Sequence, residues 1–112
     1  MPDPITIEER PTVWIVTARG ELDYSDCDTF RSAVDRVIRA KPSACIVDLS
    51  AVDYLDSSCL GLLLSLHRDY ELAGGSLTLV ASEIVDGVLA ITRLAGIFTS
   101  APDIESAIAA LE

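Results

Sequence analysis

One apolar run limits the folds open to this 112-residue chain more than any other feature. Ala44-Cys-Ile-Val-Asp-Leu49 shows little alternation, as a strand does when both of its faces are buried. A helical pattern follows from about Ser57 to Ala73, and Gly74-Gly75 supplies its left-handed stop. A second apolar strand, Leu77–Ala81, comes next. Strand, helix, strand is a crossover unit, so its strands are parallel neighbours and its connection is right-handed.

The flanking segments extend that unit. Ile5–Glu9 alternates weakly and reads as an edge strand, and Arg10-Pro11 marks a turn. Val13–Arg19 is rich in β-branched and aromatic residues and reads as a second strand, ended by Gly20. The short link between the two argues for an antiparallel hairpin. Ser25 reads as the N-cap of a first helix, with Asp28 three positions on. Cys27, Phe30, Val34, Val37 and Ile38 recur at helical spacing; Arg36, Arg39 and Lys41 suit the helix end, and Pro42 stops it. Ser82 caps a third helix that runs to near Gly96, weakened by Gly87. Ile97–Thr99 adds a short edge strand, and Asp103–Leu111 closes the chain as a helix with Ile104, Ala107, Ile108 and Leu111 inward. The expected fold is α/β, a mixed four- to five-stranded sheet with about four packed helices, in one domain spanning 1–112.

Composition removes several function classes. Net charge is −10, which suits neither nucleic acid nor an anionic membrane surface, since both need clustered Lys and Arg. A basic or mixed-charge protein partner fits better. The three cysteines, Cys27, Cys45 and Cys59, are odd in number and form no C-x-x-C, so neither a disulfide framework nor a zinc site is expected. Free thiols point to a reducing cytosol. The start, Met1-Pro-Asp-Pro4, has neither the basic nor the apolar region of a signal peptide, and no apolar run is long enough to span a bilayer.

The chemistry centres on Asp56-Ser57-Ser58, where a strand-to-helix connection delivers a helix N-terminus. Unpaired N–H groups and the helix dipole favour negative charge there, so a hydroxyl can cap the helix and a phosphate on it is tolerated. A serine hydrolase is not expected, because the sequence supplies no evident base. His67 is the only histidine, and helical rise puts it ~15 Å from Ser57. No G-x-S-x-G turn and no Gly-rich phosphate motif is present. Asp48, Asp53 and Asp56 could suggest magnesium, but they have no phosphate cradle beside them.

Asp56-Ser57-Ser58-Cys59-Leu60-Gly61 resembles the Asp-Ser-Ser/Thr-Gly-Leu-Gly signature of the STAS-domain anti-sigma factor antagonists. Gly20-Glu21-Leu22-Asp23 is similar to that family's Gly-Glu-Leu-Asp segment, and Arg93–Phe98 to its third-helix ending. Cys59 departs from the pattern, which has glycine there. The resemblance implies a STAS fold and a partner switch without catalysis or cofactor. Ser57 is implied as the phosphorylated serine, Ser58 as the serine or threonine beside it, and Asp23 as a neighbour at the same sheet end. The implied partners are an anti-sigma factor serine kinase with a histidine-kinase-like ATP-binding fold and a serine phosphatase, all cytoplasmic. The unmodified antagonist binds the kinase and frees the sigma factor; phosphorylation breaks that complex. The alternative is a non-switching STAS-like structural subunit of a transport or other multiprotein complex.

The pattern of the second helix divides its faces. At 100° per residue, Cys59, Leu62, Leu63, Leu66, Tyr70 and Ala73 form an arc expected to face the sheet. Ser57, Leu60, Gly61, Leu64 and Arg68 form a neighbouring stripe, expected as a docking patch. The expected partner-binding residues are Asp23, Asp56, Ser58, Leu60, Gly61, Leu64 and Arg68.

Overall fold

The structure, a computed structural model, describes residues 5–111. The opening segment read for a signal peptide lies outside the described residues. The elements are β1 (Ile5–Glu9), β2 (Trp14–Leu22), a short 3-10 turn (Tyr24–Asp26), α1 (Cys27–Ala40), β3 (Ala44–Leu55), α2 (Ser57–Ala73), β4 (Ser76–Ala81), α3 (Glu83–Ile91), β5 (Thr99–Ser100) and α4 (Ile104–Leu111). The expected class holds: one mixed five-stranded sheet carries four helices. Its order follows the sequence, β1-β2-β3-β4-β5. The β1–β2 pair is antiparallel and the other pairs are parallel.

Strand order decides where the helices lie. A sheet that always grows at the same edge through right-handed crossovers puts every crossover helix on one face. On that face Val16, Ala18, Cys45, Val47, Leu49 and Leu79 pack against α1, α2 and α3. The other face is covered by α4 alone. There Ala107 is fully buried on Val13, Ile15, Ala44, Ile46 and Val80, with Ile104 and Ile108 beside it. Ala44 and Ile46 go one way while Cys45, Val47 and Leu49 go the other, which is why this run is apolar throughout. Leu111, expected inward, is 36% exposed at the end of α4.

Several boundaries differ from the sequence reading. Gly20 does not end β2. It takes a positive φ of 79° between two register shifts, and the pairing resumes as Glu21↔Tyr54 and Leu22↔Leu55. Glycine makes that kink inexpensive. β3 continues six residues beyond Leu49, because Val52 and Leu55 remain in the core although Ser50, Ala51, Asp53 and Tyr54 are exposed. α3 stops at Ile91, well before Gly96. The Thr92 hydroxyl donates to the Val88 carbonyl at 2.7 Å and Arg93 turns left-handed at φ 62°, so the chain leaves the helix without a glycine. β5 is Thr99–Ser100, shifted from the expected Ile97–Thr99 because buried Phe98 leads into it while Ile97 is 42% exposed.

α2 runs as read. Gly75 follows its stop for a separate reason: a Cβ there would lie 3.0 Å from the Ser43 carbonyl and 2.9 Å from the Tyr70 ring. The Tyr70 hydroxyl donates to the Pro42 carbonyl at 3.0 Å, locking the end of α2 to the start of β3. Among the described residues, no helix is long and apolar enough to cross a membrane.

Candidate functional site

The site begins with the last paired residues of two parallel strands. Leu22 and Leu55 are register partners, and both are buried. The Asp56 N–H donates to the Leu22 carbonyl at 2.8 Å. Asp23 and Asp56 therefore leave the same end of the sheet side by side, each at the head of a connection into a helix. Placing both depends on the overlooked ends of β2 and β3, since strands ending at Arg19 and Leu49 would not define this pairing.

At the first junction, Oδ1 of Asp23 accepts from the Ser25 hydroxyl at 2.6 Å, the Ser25 N–H at 2.9 Å and the Asp26 N–H at 3.2 Å. The Ser25 hydroxyl, followed by these backbone donors, holds the Asp23 carboxyl below the usual carboxylate range. Ser25 is thus not the N-cap expected of it. It lies in the 3-10 turn, and Asp26 occupies the cap position of α1 without a side-chain bond. An aspartate two residues upstream outcompetes the serine because its charged oxygen takes several donors at once.

At the second junction, Asp56 is the N-cap of α2, with extended backbone, and its Oδ1 accepts from the Ser58 N–H at 2.8 Å. The aspartate, rather than a serine hydroxyl, does the capping. Ser57 and Ser58 are exposed in the first helical turn, and neither hydroxyl has a hydrogen-bond partner among the described residues. An exposed, uncommitted hydroxyl thus stands where the helix dipole favours added negative charge.

Farther along α2 the predicted faces need adjustment. Cys59, Leu62, Leu63, Leu66 and Tyr70 are buried as expected, but Ala73 is exposed in the last turn. Leu60, assigned to the docking stripe, is only 7% exposed and belongs to the core. α1 packs beside α2 while the sheet lies beneath it, so the buried arc is wider than one underlying surface would make it. Gly61 and Arg68 remain exposed, and Leu64 is half-buried. Leu64 and Arg68 line a surface groove with Ser65, His67, Glu71 and Ile97. His67 sits with its ring 5.3 Å from that of Phe98 and its Nε2 3.5 Å from Glu71. It belongs to the groove wall, far along the helix from Ser57.

The three aspartates considered for magnesium do not converge. Asp48 points to the α4 face, where its Oδ1 accepts from the Ser50 hydroxyl at 2.6 Å and the Ser50 N–H at 3.0 Å. Asp53 is exposed on the β3 extension and Asp56 caps α2. Among the described residues, no cluster of three or more His, Cys, Asp or Glu is arranged to hold a metal ion.

One feature of the site was missed in the sequence. Cys27 opens α1, Cys59 lies in the first turn of α2, and their Sγ atoms are 2.9 Å apart in the core. The available signal was positional, since Cys27 and Cys59 lie four and three residues after Asp23 and Asp56, the aspartates at the two strand-to-helix junctions. Two distant cysteines meet only once those junctions are known to be neighbours.

The family model of the STAS domain matches residues 4–107. The anti-sigma-F factor antagonist RsfB of Mycobacterium tuberculosis is 30% identical over 59 residues, 53% of this chain and 48% of RsfB, so the match covers about half of that relative. Among solved structures, an anti-sigma factor antagonist from Mycobacterium paratuberculosis is 27% identical with a TM-score of 0.83, covering 95% of this chain and 91% of that one. The unphosphorylated form of SpoIIAA, an anti-sigma factor antagonist, is 23% identical with a TM-score of 0.80, covering 96% of this chain and 95% of SpoIIAA. The same protein, a Bacillus cell fate determinant, has also been solved phosphorylated; that form is 22% identical with a TM-score of 0.75, covering 96% and 99%. With the family match spanning nearly the whole sheet and its helices, this chain belongs to the STAS domain family.

Proposed function

We propose that this chain is an anti-sigma factor antagonist whose partner binding is switched by phosphorylation of Ser57. The observation that carries the reading is the Ser57 hydroxyl, exposed and uncommitted in the first turn of α2, directly after the Asp56 cap. The similarity to anti-sigma factor antagonists, one of which has been solved in both phosphorylation states, supports it. The partner is an anti-sigma factor kinase with a histidine-kinase-like ATP-binding fold. It is bound by the unmodified chain, which frees the sigma factor and so regulates transcription in the cytoplasm. A serine phosphatase resets the switch. The chain itself is a substrate and a binding module, and ATP and magnesium belong to the kinase.

The docking surface on this reading is Asp23, Asp56, Ser58, Gly61, Leu64 and Arg68 around Ser57, with Leu60 supporting it from the core. A phosphate adds about −1.5 to −2 charges at neutral pH. The helix N-terminus offsets part of this, by ~0.3–1 kcal/mol at an exposed site. Asp56 opposes it. The fold tolerates the group because Ser57 points to water. A partner seated on Ser57 does not, since it would have to bury a hydrated dianion at a cost of several kcal/mol.

Incubation with the cognate kinase, ATP and magnesium, followed by peptide mapping, tests the assignment. Phosphate on Ser57 and dissociation of the complex are expected. Phosphate on Ser58 alone overturns the residue assignment, and phosphate on neither favours the structural-subunit alternative.

A further inference from the structure

We propose that Cys27 and Cys59 form a redox modification site, a thiol pair that hydrogen peroxide converts to an intramolecular disulfide joining the start of α1 to the first turn of α2. Three observations carry it. The Sγ atoms are 2.9 Å apart although the residues are 32 positions apart in sequence, so the fold has already brought them together. A disulfide needs its sulfurs at about 2.04 Å, so an approach of about 0.9 Å completes it. Both residues also sit at the ends of elements, where a small shift disturbs one turn and leaves the packed length of each helix in place. The third cysteine, Cys45, is buried in β3 and lies outside the pair.

The two sulfurs take different roles. Cys27 is 6% exposed and Cys59 is 0% exposed, so Cys27 is the one that peroxide reaches. Its sulfur attacks one peroxide oxygen and the O–O bond breaks. Cys27 becomes a sulfenic acid, and the departing hydroxide leaves as water with the thiol proton. The Cys59 sulfur then attacks the Cys27 sulfur. The S–S bond forms, the S–O bond breaks, and the hydroxyl leaves as a second water with the Cys59 proton. Two thiols lose two electrons in all, and one peroxide becomes two waters.

Burial, then Cys27 and the nearby carboxylates of Asp56 and Asp26, push the Cys59 thiol up to about 12. It is therefore a thiol at neutral pH, which makes the second step slow and makes it accelerate as pH rises. The cross-link ties the junction that carries Ser57 to its neighbour at the start of α1, and it requires no partner protein. It can fail while the phosphorylation reading stands, or stand while that reading fails.

The test uses the reduced wild-type chain, treated in its folded state with hydrogen peroxide, then denatured and alkylated without reductant. Mapping uses cleavage at aspartate, since trypsin leaves Cys45 and Cys59 on one peptide. Expected are an intact mass lower by two hydrogens, a single alkylated thiol at Cys45, a cross-linked peptide joining Cys27 to Cys59, and reversal by dithiothreitol. Cys27→Ser and Cys59→Gly should each abolish the two-hydrogen loss while remaining folded by circular dichroism. If either unfolds, the wild-type cross-link map alone decides. Three alkylatable thiols after treatment, a bond to Cys45, or disulfide-linked dimers in place of the internal bond would overturn the proposal.

Discussion

Asp23 and Asp56 stand at the ends of neighbouring parallel strands and each leads into a helix, yet they commit their carboxylates differently. Asp23 gathers three donors into a closed turn, and one of them is the hydroxyl of the nearby serine, Ser25. Asp56 takes one backbone donor, and the hydroxyls of Ser57 and Ser58 face water. The first junction is thus a structural turn that consumes its serine. The second is capped by its aspartate through one backbone donor, which keeps a serine available. The difference lies in spacing: a 3-10 turn separates Asp23 from α1, whereas α2 starts directly after Asp56. A serine can belong to the first turn of a helix and remain chemically accessible when an aspartate before it does the capping.

Six substitutions would break or sharpen this comparison. The largest effect is expected at Ser57. Ser57→Asp should stay folded and lose more than a hundredfold in affinity for the anti-sigma factor kinase, about 3 kcal/mol, read by calorimetry. The matching change at the first junction, Ser25→Ala, should leave phosphate incorporation intact; loss of labelling there would mean that both junctions share the switch. Next comes Leu64→Glu, expected to weaken the same complex by at least tenfold, about 1.4 kcal/mol, with a smaller loss of folding stability. Unfolding of that variant would instead place Leu64 in the core with Leu60.

Asp56→Ala removes the cap of α2 and should cost about 1 kcal/mol, read from the urea midpoint at constant slope. At the first junction the signature is a dependence on pH. The Asp23 carboxyl is held below its ordinary value, so its contribution is complete above the unfolded value of about 3.9 and is lost as pH falls through the lower, folded value. Asp23→Asn should therefore flatten the acid limb of stability as pH falls below the ordinary carboxylate value. An unchanged acid limb would show that the closed turn is not acid-sensitive. The smallest effect belongs to Ser58→Ala, within about 0.5 kcal/mol of wild type, because Asp56 holds the Ser58 N–H and not its hydroxyl. A larger loss would reveal a role for that hydroxyl in capping.

Much of this was legible in the sequence, for identifiable reasons. Ala44–Leu49, the helical spacing of α2 and its Gly74 stop are strong local signals, and they hold. Asp56-Ser57-Ser58 was placed at the correct turn because an apolar strand and an amphipathic helix bracket it. The ends of β2 and β3 were not legible. Beyond Arg19 and Leu49 the residues alternate with polar neighbours, and what keeps them extended is their pairing with each other. Leu60 was misassigned because a helical wheel gives the direction of a side chain and not how many elements surround the helix. The meeting of Cys27 and Cys59 was hidden for the same reason as the junction pairing, since both are properties of strand register.

The strand order has a consequence in time as well as in space. Each strand after β1 joins the open edge left by its predecessor, and none has to insert between two strands already paired. A chain emerging from its N-terminus during synthesis can therefore lay the sheet down in the order in which it is made. The junctions carrying Asp23 and Asp56 are complete once β2, β3 and α2 have emerged, while β5 and α4 are still unmade.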